Sequence, residues 1–228
     1  MSAVAALVQV ARRQARARRA GVFREAFALG PATRILDIGS EDGSAIAAVI
    51  EGTPVRPPNV YIADIDEARV CEGARRFGFV PVPIPESGRL PFADRYFDIV
   101  YCSSVIEHVT VPKAQIWQVR SGRDFRARAR PRQHEFAREI RRLGKGYYVQ
   151  TPNRWFPIES HTWLPLVGWL PRPWQVRVIA ISNRCWIKRT SPDWHLLTAR
   201  ELRALFPGAE IRRERFMGLT KSLMAIRR

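Results

Sequence analysis

The amino-acid sequence predicts an α/β protein of the doubly wound class, a mostly parallel sheet with crossover helices. Three observations carry this. Short β-branched runs alternate with stretches of helical periodicity, the pattern of parallel strands joined through helices rather than hairpins. One of those runs ends at an acid, Asp64, and another carries Asp37 next to its last residue, and open sheets of this class place their ligand crevice at the carboxyl ends of the strands. The chain has 228 residues, 46% hydrophobic and 26% charged, which is enough apolar material for the core of one domain, 1–228, and argues against disorder.

The elements follow in order. A helical segment over 2–29 carries Val4, Leu7 and Val8, an arginine-rich turn (Arg12, Arg13, Arg16, Arg18, Arg19) and then Phe23 and Phe27; Gly30-Pro31 stops it. The first strand, 34–38, runs into the loop Gly39-Ser40-Glu41-Asp42-Gly43 and a helix over 44–50. A proline-rich loop at 54–58 precedes the second strand, 60–64, and a helix over 67–77. Residues 80–84 form a third strand whose Pro81 and Pro83 suit an edge position. The fourth strand is 97–102. A helix from about Gln133 to Leu143 leads to the fifth at 147–150. The tail reads as a helix over 196–206 with Thr198 as a cap, then strands at 209–215 and 219–226.

Charge is the unusual bulk property. Lys plus Arg total 38 against 21 acids, a net +17, and only Lys113, Lys145, Lys188 and Lys221 are lysines. Such an excess is either an electrostatic footprint for nucleic acid or anionic lipid or the mark of a GC-rich genome, which raises arginine and alanine together; the second reading is preferred. Cys71, Cys102 and Cys185 are odd in number and far apart, which excludes a disulfide framework or a cysteine zinc site and fits the reducing cytoplasm. The longest apolar stretch, 163–181, is interrupted by Pro165, Pro171, Arg172, Pro173 and Arg177. It cannot supply the ~20 apolar residues of a spanning helix, so the expectation is a cytoplasmic or membrane-peripheral protein.

The 39–43 loop fails two phosphate-binding tests. A dinucleotide fingerprint needs glycine where Glu41 and Ser44 stand, and a Walker loop needs Gly-Lys-Ser/Thr, which is absent. The run Ile35-Leu36-Asp37-Ile38-Gly39 ending at Gly43 instead resembles the first motif of class I S-adenosylmethionine-dependent methyltransferases, of the methyltransferase type 11-like kind. Further segments occur in that family's order: Asp64; Glu86 before Leu90-Pro91-Phe92; Phe97-Asp98-Ile99-Val100 followed by Ser103 to Val109 with its Glu107-His108; and Glu139 to Leu143 leading through Gly146 to Thr151-Pro152-Asn153. The resemblance covers about residues 34–153. It implies a Rossmann-like methyltransferase fold with a seven-stranded, mostly parallel sheet and an antiparallel last strand, and S-adenosyl-L-methionine as cofactor. By the same resemblance Asp37, Gly39, Ser40 and Gly43 face the methionine part of the cofactor, Asp64 accepts from its ribose hydroxyls and Glu86 lies beside its adenine amine. Ile65 and Ser103, at the ends of the second and fourth strands, complete the binding set.

Three departures from the family pattern stand out. Glu41 occupies a glycine position, at a cost on the order of 1 kcal/mol if the backbone there has positive φ. Residues 112–132 read as an insertion rich in arginine (Arg120, Arg123, Arg126, Arg128, Arg130, Arg132) with Trp117 and Phe125 interleaved. It is either a mobile surface loop or poorly constrained insertion, the preferred reading, or an RNA- or phosphate-binding arm. Beyond the fifth strand, Thr151 to His161 resembles a segment of a bacterial subgroup of these enzymes. The insertion 154–190, rich in Trp and Pro, reads as a substrate lid or interfacial surface, with membrane contact through 163–186, or as a second small core.

Methyl transfer from a sulfonium is an in-line displacement on an activated carbon, so the protein positions the reactants and removes at most one proton. It requires neither a metal nor a covalent nucleophile. His108 and His161 are the candidate bases, with His195 a third and Glu159 an orienting or basic partner. The expected acceptor is a small molecule, sugar or lipid-like compound, methylated at oxygen. The alternatives are an RNA methyltransferase that uses the basic insertion, and a binding module that keeps the fold without catalysis, to which Glu41 points.

Overall fold

The computed structural model describes residues 3–186 and 188–228, with side chains from residue 14 onward. The side chains of Val4, Leu7, Val8, Arg12 and Arg13 lie outside the described residues. The elements are α1 (Ala3–Ala26), β1 (Ile35–Ile38), α2 (Ser44–Ile50), β2 (Val60–Asp64), α3 (Glu67–Phe77), β3 (Val80–Pro83), β4 (Phe97–Ser103), α4 (Gly122–Leu143), β5 (Gly144–Pro152), α5 (Arg172–Cys185), α6 (Ala199–Leu205), β6 (Glu210–Phe216) and β7 (Leu219–Arg227). The sheet has seven strands in the order β3-β2-β1-β4-β5-β7-β6. β2–β3, β1–β2 and β1–β4 pair parallel, and β7 runs antiparallel to both β5 and β6. This is the doubly wound sheet with an antiparallel last strand that the sequence implied.

The chain groups into two compact units. The first comprises residues 1–101, 144–146 and 228. Ile35, Leu36 and Ile38 on β1 are buried among β2 and β4, because a central parallel strand is covered on both faces and so reads as an unbroken apolar run. Pro81 and Pro83 sit on β3 at the sheet edge, where a missing N–H costs no ladder bond on the open side. The Leu90-Pro91-Phe92 segment is an anchor: Leu90 is buried, and the Phe92 ring meets Tyr61 of β2 at 5.8 Å and Phe97 of β4 at 4.9 Å, both edge to face. α3 ends at Gly78, whose φ of 72° is the left-handed conformation that closes a helix.

The second unit comprises residues 102–143 and 147–227. Here the structure corrects one boundary. α4 begins at Gly122 and not near Gln133, so Arg123, Arg126, Arg128, Arg130 and Arg132 lie on the exposed side of a helix rather than in a loop. Its buried stripe, Phe125, Ala129, Gln133, Ala137, Ile140 and Leu143, repeats every three or four residues straight through the exposed Pro131. Packing of that stripe offsets the ~3 kcal/mol penalty of an interior proline. Gln133 satisfies its burial by donating to the carbonyls of Ile106 (2.9 Å) and His195 (3.2 Å) and accepting from His195 Nδ1 (3.0 Å).

A small core joins residues 154–190 to the segment that follows them: Val167, Ile179, Trp194 and Leu196, with Leu164, Leu170 and Val178 packed against it. Arg172, at the start of α5, is buried and donates to the carbonyls of Val119 and Ile116, both at 3.2 Å, while its guanidinium lies 3.9 Å from the centre of the Phe125 ring. Burial pushes its pKa down to about 10. α6 starts after Thr198, the expected cap, which here forms half of a capping box: its Oγ1 accepts from Glu201 N, and the Glu201 carboxylate accepts from Thr198 N.

Candidate active site

β1, β2 and β3 end side by side, with Ile38 beside Ala63 and Asp64 beside Pro83. The loop after β1 is tied to β2 by the N–H groups of Gly39 and Ser40, which share the Ala63 carbonyl at 2.7 and 3.2 Å. Gly39, Glu41 and Gly43 have φ of 77°, 54° and 71°. The glycine position that Glu41 fills is therefore left-handed, and the side chain is accommodated at that strain. Its N–H donates to Asp64 Oδ2 at 3.0 Å, and Asp66 N donates to Asp64 Oδ1 at 3.1 Å. The Asp64 carboxylate is thus fixed by two backbone donors while each oxygen keeps acceptor capacity.

Asp37 is buried on β1 and its Oδ2 has no hydrogen-bond partner, as is true of the buried Ser40 Oγ. Burial, and then the neighbouring charge of Asp64, hold the Asp37 carboxyl well above the usual carboxylate range. Ile65 is 69% exposed directly after Asp64, and Glu86 is exposed in the loop that follows β3. Gly73 of α3, which the sequence reading passed over, sets how close α3 comes to the loop: a Cβ there would lie 2.0 Å from the Asp42 carbonyl oxygen. A concavity of about 1130 Å³ in the same unit, bordered by Phe27, Thr33, Arg95, Asp98 and Lys145, opens at the amino ends of the strands, away from these loops.

The second unit holds the other predicted residues. Ser103 Oγ donates to Gln150 Oε1 at 2.8 Å, so this hydroxyl is engaged by β5. His108 sits on a 3-10 turn, Ile106–His108, and His161 on the loop after β5. Their rings meet edge to face with centres 4.6 Å apart, and the His161 ring stacks on Trp194 at 5.6 Å. Each imidazole has its Nδ1 on a carboxylate: His108 on Asp193 Oδ1 at 3.2 Å and His161 on Glu159 Oε1 at 2.6 Å. Glu159 also accepts from the N–H groups of His161 (2.9 Å) and Thr162 (2.7 Å). Burial raises the Glu159 carboxyl, but these bonds outweigh it and hold it below its ordinary value.

Burial likewise favours neutral His108, yet Asp193, Glu107 and Glu159 prevail and its pKa lies above the ordinary histidine value. Glu107, read in the sequence only as part of a motif, is fully buried beside the pair and accepts from Thr151 Oγ1 at 2.9 Å. His195 is elsewhere: buried, bonded to Gln133 and pushed down by burial to about 4, it is a core histidine. Asp193 was missed altogether, because nothing local connects it to His108.

Residues 36–120 match the family model described as Methyltransferase domain. Over these 85 residues the chain is similar to a methyltransferase domain. No curated protein matches it. Among solved structures it resembles magnesium protoporphyrin IX methyltransferase from Synechocystis, at 13% identity over 100% of this chain and 89% of that one, with a TM-score of 0.53. It also resembles the chain partnered with the Trm112 methyltransferase activator of Haloferax volcanii, at 13% identity over 92% and 87% of the two chains, with a TM-score of 0.55. At such identities the likeness carries the fold alone.

The residues present fit S-adenosyl-L-methionine, the cofactor that the resemblance to methyltransferases implies. The orphaned Asp37 Oδ2 and Ser40 Oγ are buried polar atoms in want of partners beside a glycine loop, as a site for an amino-acid moiety requires. Asp64 has acceptor capacity for a ribose diol, and Ile65 gives an exposed apolar face next to it. When bound, the cofactor supplies a methyl group already activated by its sulfonium. The domain's own loops do the rest by orienting.

Proposed function

We propose that the methyltransferase domain methylates an oxygen of a small-molecule, sugar or lipid-like acceptor, and that His108 and His161 receive the acceptor hydroxyl. The observation that carries this is the paired carboxylate–histidine arrangement. With Nδ1–H directed at Asp193 or Glu159, each ring keeps its Nε2 lone pair free of those carboxylates, the tautomer a proton acceptor needs. A carboxylate behind each ring also stabilises the imidazolium formed when the proton arrives. A lipid-like acceptor is favoured by Trp155, Leu166, Trp169, Trp174 and Ile181, large apolar side chains exposed within the second unit. Arg177 over Trp174 and Lys188 over Trp163 place cations beside them, a pairing suited to a membrane surface. Among the described residues no helix is long and apolar enough to cross a membrane.

The experiment is a radiolabelled methyl-transfer screen over pools of alcohols, phenols, sugars, lipid extracts, amines and RNA. Label should appear in an alkylated hydroxyl compound. His108→Asn and His161→Asn should each lower transfer by ~10²–10⁴-fold with S-adenosylhomocysteine affinity unchanged. Asp64→Ala should lose that affinity. Label confined to nitrogen acceptors or RNA, or full rates in both histidine variants, would overturn the reading.

A further inference from the structure

Glu107, His108 and His161 each bring a donor atom within 4.8 Å of the other two. The Nδ1 atoms are taken by Asp193 and Glu159, which leaves the Nε2 atoms as donors. The third donor is Glu107 Oε1, which is fully buried and without a hydrogen-bond partner, the other carboxylate oxygen being held by Thr151. An unpaired carboxylate oxygen in the interior is costly unless a cation or donor meets it. His161 Nε2 stands 3.8 Å from it, too far for a hydrogen bond. Ligands of one ion with bonds of about 2.0–2.2 Å lie roughly 3–3.5 Å apart, so modest closing of this gap accommodates an ion between them.

We infer that Glu107, His108 and His161 form a binding site for a divalent first-row transition metal ion, with Asp193 and Glu159 as the carboxylates that orient its imidazole ligands. Two neutral imidazoles and one carboxylate suit zinc, cobalt or iron(II) rather than magnesium or calcium, which favour all-oxygen shells. A carboxylate bonded to the far nitrogen of each ligating histidine is the arrangement that fixes ring and tautomer at metal centres. Three protein ligands leave coordination positions open. The sequence had suggested no metal, because Glu107-His108 and His161 lie 53 residues apart and share no short ligand spacing. With an ion in place the Nε2 lone pairs would be committed to it, and a hydroxyl bound to the ion would have a lowered pKa and release its proton to solvent, in place of direct transfer to an imidazole. That last step rests on the oxygen-acceptor reading; binding of the ion does not.

The test uses the full chain, stripped with chelator and carrying Cys185→Ser to remove an exposed thiol. Cobalt(II) titration followed by visible absorption, and zinc titration by calorimetry, should each give one ion per chain. Glu107→Gln, His108→Gln and His161→Gln should each weaken affinity at least tenfold, and Asp193→Asn by ~10–100-fold, with magnesium not competing. Near-ultraviolet dichroism and melting confirm that each variant is folded; Asp193→Asn, which alters no ligand, keeps the test open if Glu107→Gln does not fold. No uptake of either ion, or uptake that all four variants retain at parental affinity, would overturn the site, the first result meaning that the gap holds only water. Cobalt binding is read without the cofactor, so failure of S-adenosylhomocysteine to bind would count against the methyl-transfer reading alone.

Discussion

Substituting Gly73 by alanine separates two opposite expectations. Intrinsic helix propensity says that glycine to alanine in the middle of α3 gains about 1 kcal/mol. The geometry says otherwise. The new Cβ would stand 2.0 Å from the Asp42 carbonyl oxygen and 2.6 Å from its carbon, both backbone atoms, where carbon contacts are optimal near 3.5 Å. The loop between β1 and α2 must therefore withdraw by about 1.5 Å, and overpacking of this kind costs ~1–3 kcal/mol, enough to cancel or reverse the propensity gain. Gly21→Ala in α1 is the matched control, since nothing lies within 4 Å of its added Cβ; it should stabilise by roughly 0.5–1 kcal/mol. For a chain of this length 1 kcal/mol corresponds to ~2–4 °C in Tm. Gly21→Ala should accordingly melt above the parent and Gly73→Ala at or below it. Because the displaced loop carries Gly39 to Gly43, calorimetry should also show S-adenosylhomocysteine binding weakened at least tenfold in Gly73→Ala alone. If Gly73→Ala gains as much stability as Gly21→Ala and binds the ligand normally, the close approach of α3 does not position the loop.

Two further outcomes follow from single groups. The folded Asp37 carboxyl titrates well above its ordinary value because of burial and Asp64, while the unfolded one titrates near 3.9. Between those values the folded state holds the extra proton, so stability falls as pH rises through the window. Asp37→Asn should match the parent below about pH 4, exceed it increasingly at higher pH in denaturant titrations, and bind S-adenosylhomocysteine less tightly; equal stability at both ends of the range would refute the assignment. Thr198→Ala removes one half of the capping box on α6 and should cost about 1 kcal/mol, or ~2–4 °C; Thr198→Ser should recover most of it.

The strands were readable because each is a short apolar run that stops at an acid, a glycine or a turn, and parallel strands covered on both faces leave that mark regardless of partners. The first half of α4 was not. Between Gly122 and Gln133 its buried stripe offers only Phe125 and Ala129 amid arginines, with Pro131 on the exposed side, so periodicity was too sparse to outweigh the proline. The 39–43 loop and Asp64 stood out as part of an ordered set of motifs, and Asp37, Gly39, Ser40, Gly43 and Asp64 fall together at the ends of neighbouring strands. Gly73 and Asp193 were not legible. The first acts through the space its missing Cβ leaves, and the second meets His108 only after the chain has returned from 85 residues away. Glu159 was legible as an orienting partner because two residues of separation suffice for its side chain to reach His161.

Glu159 does more than orient one ring. The same carboxylate that takes His161 Nδ1 also takes the N–H groups of His161 and Thr162, and its own carbonyl accepts from Trp163. The shape of the 159–163 turn and the orientation of the His161 ring therefore depend on a single inherited position. Drift there cannot reorient the imidazole without unmaking the turn that carries it, so in evolutionary terms the two properties form one character. Descendants of this chain that lose the carboxylate should lose the turn along with it, and those that keep the turn keep the ring in its present orientation.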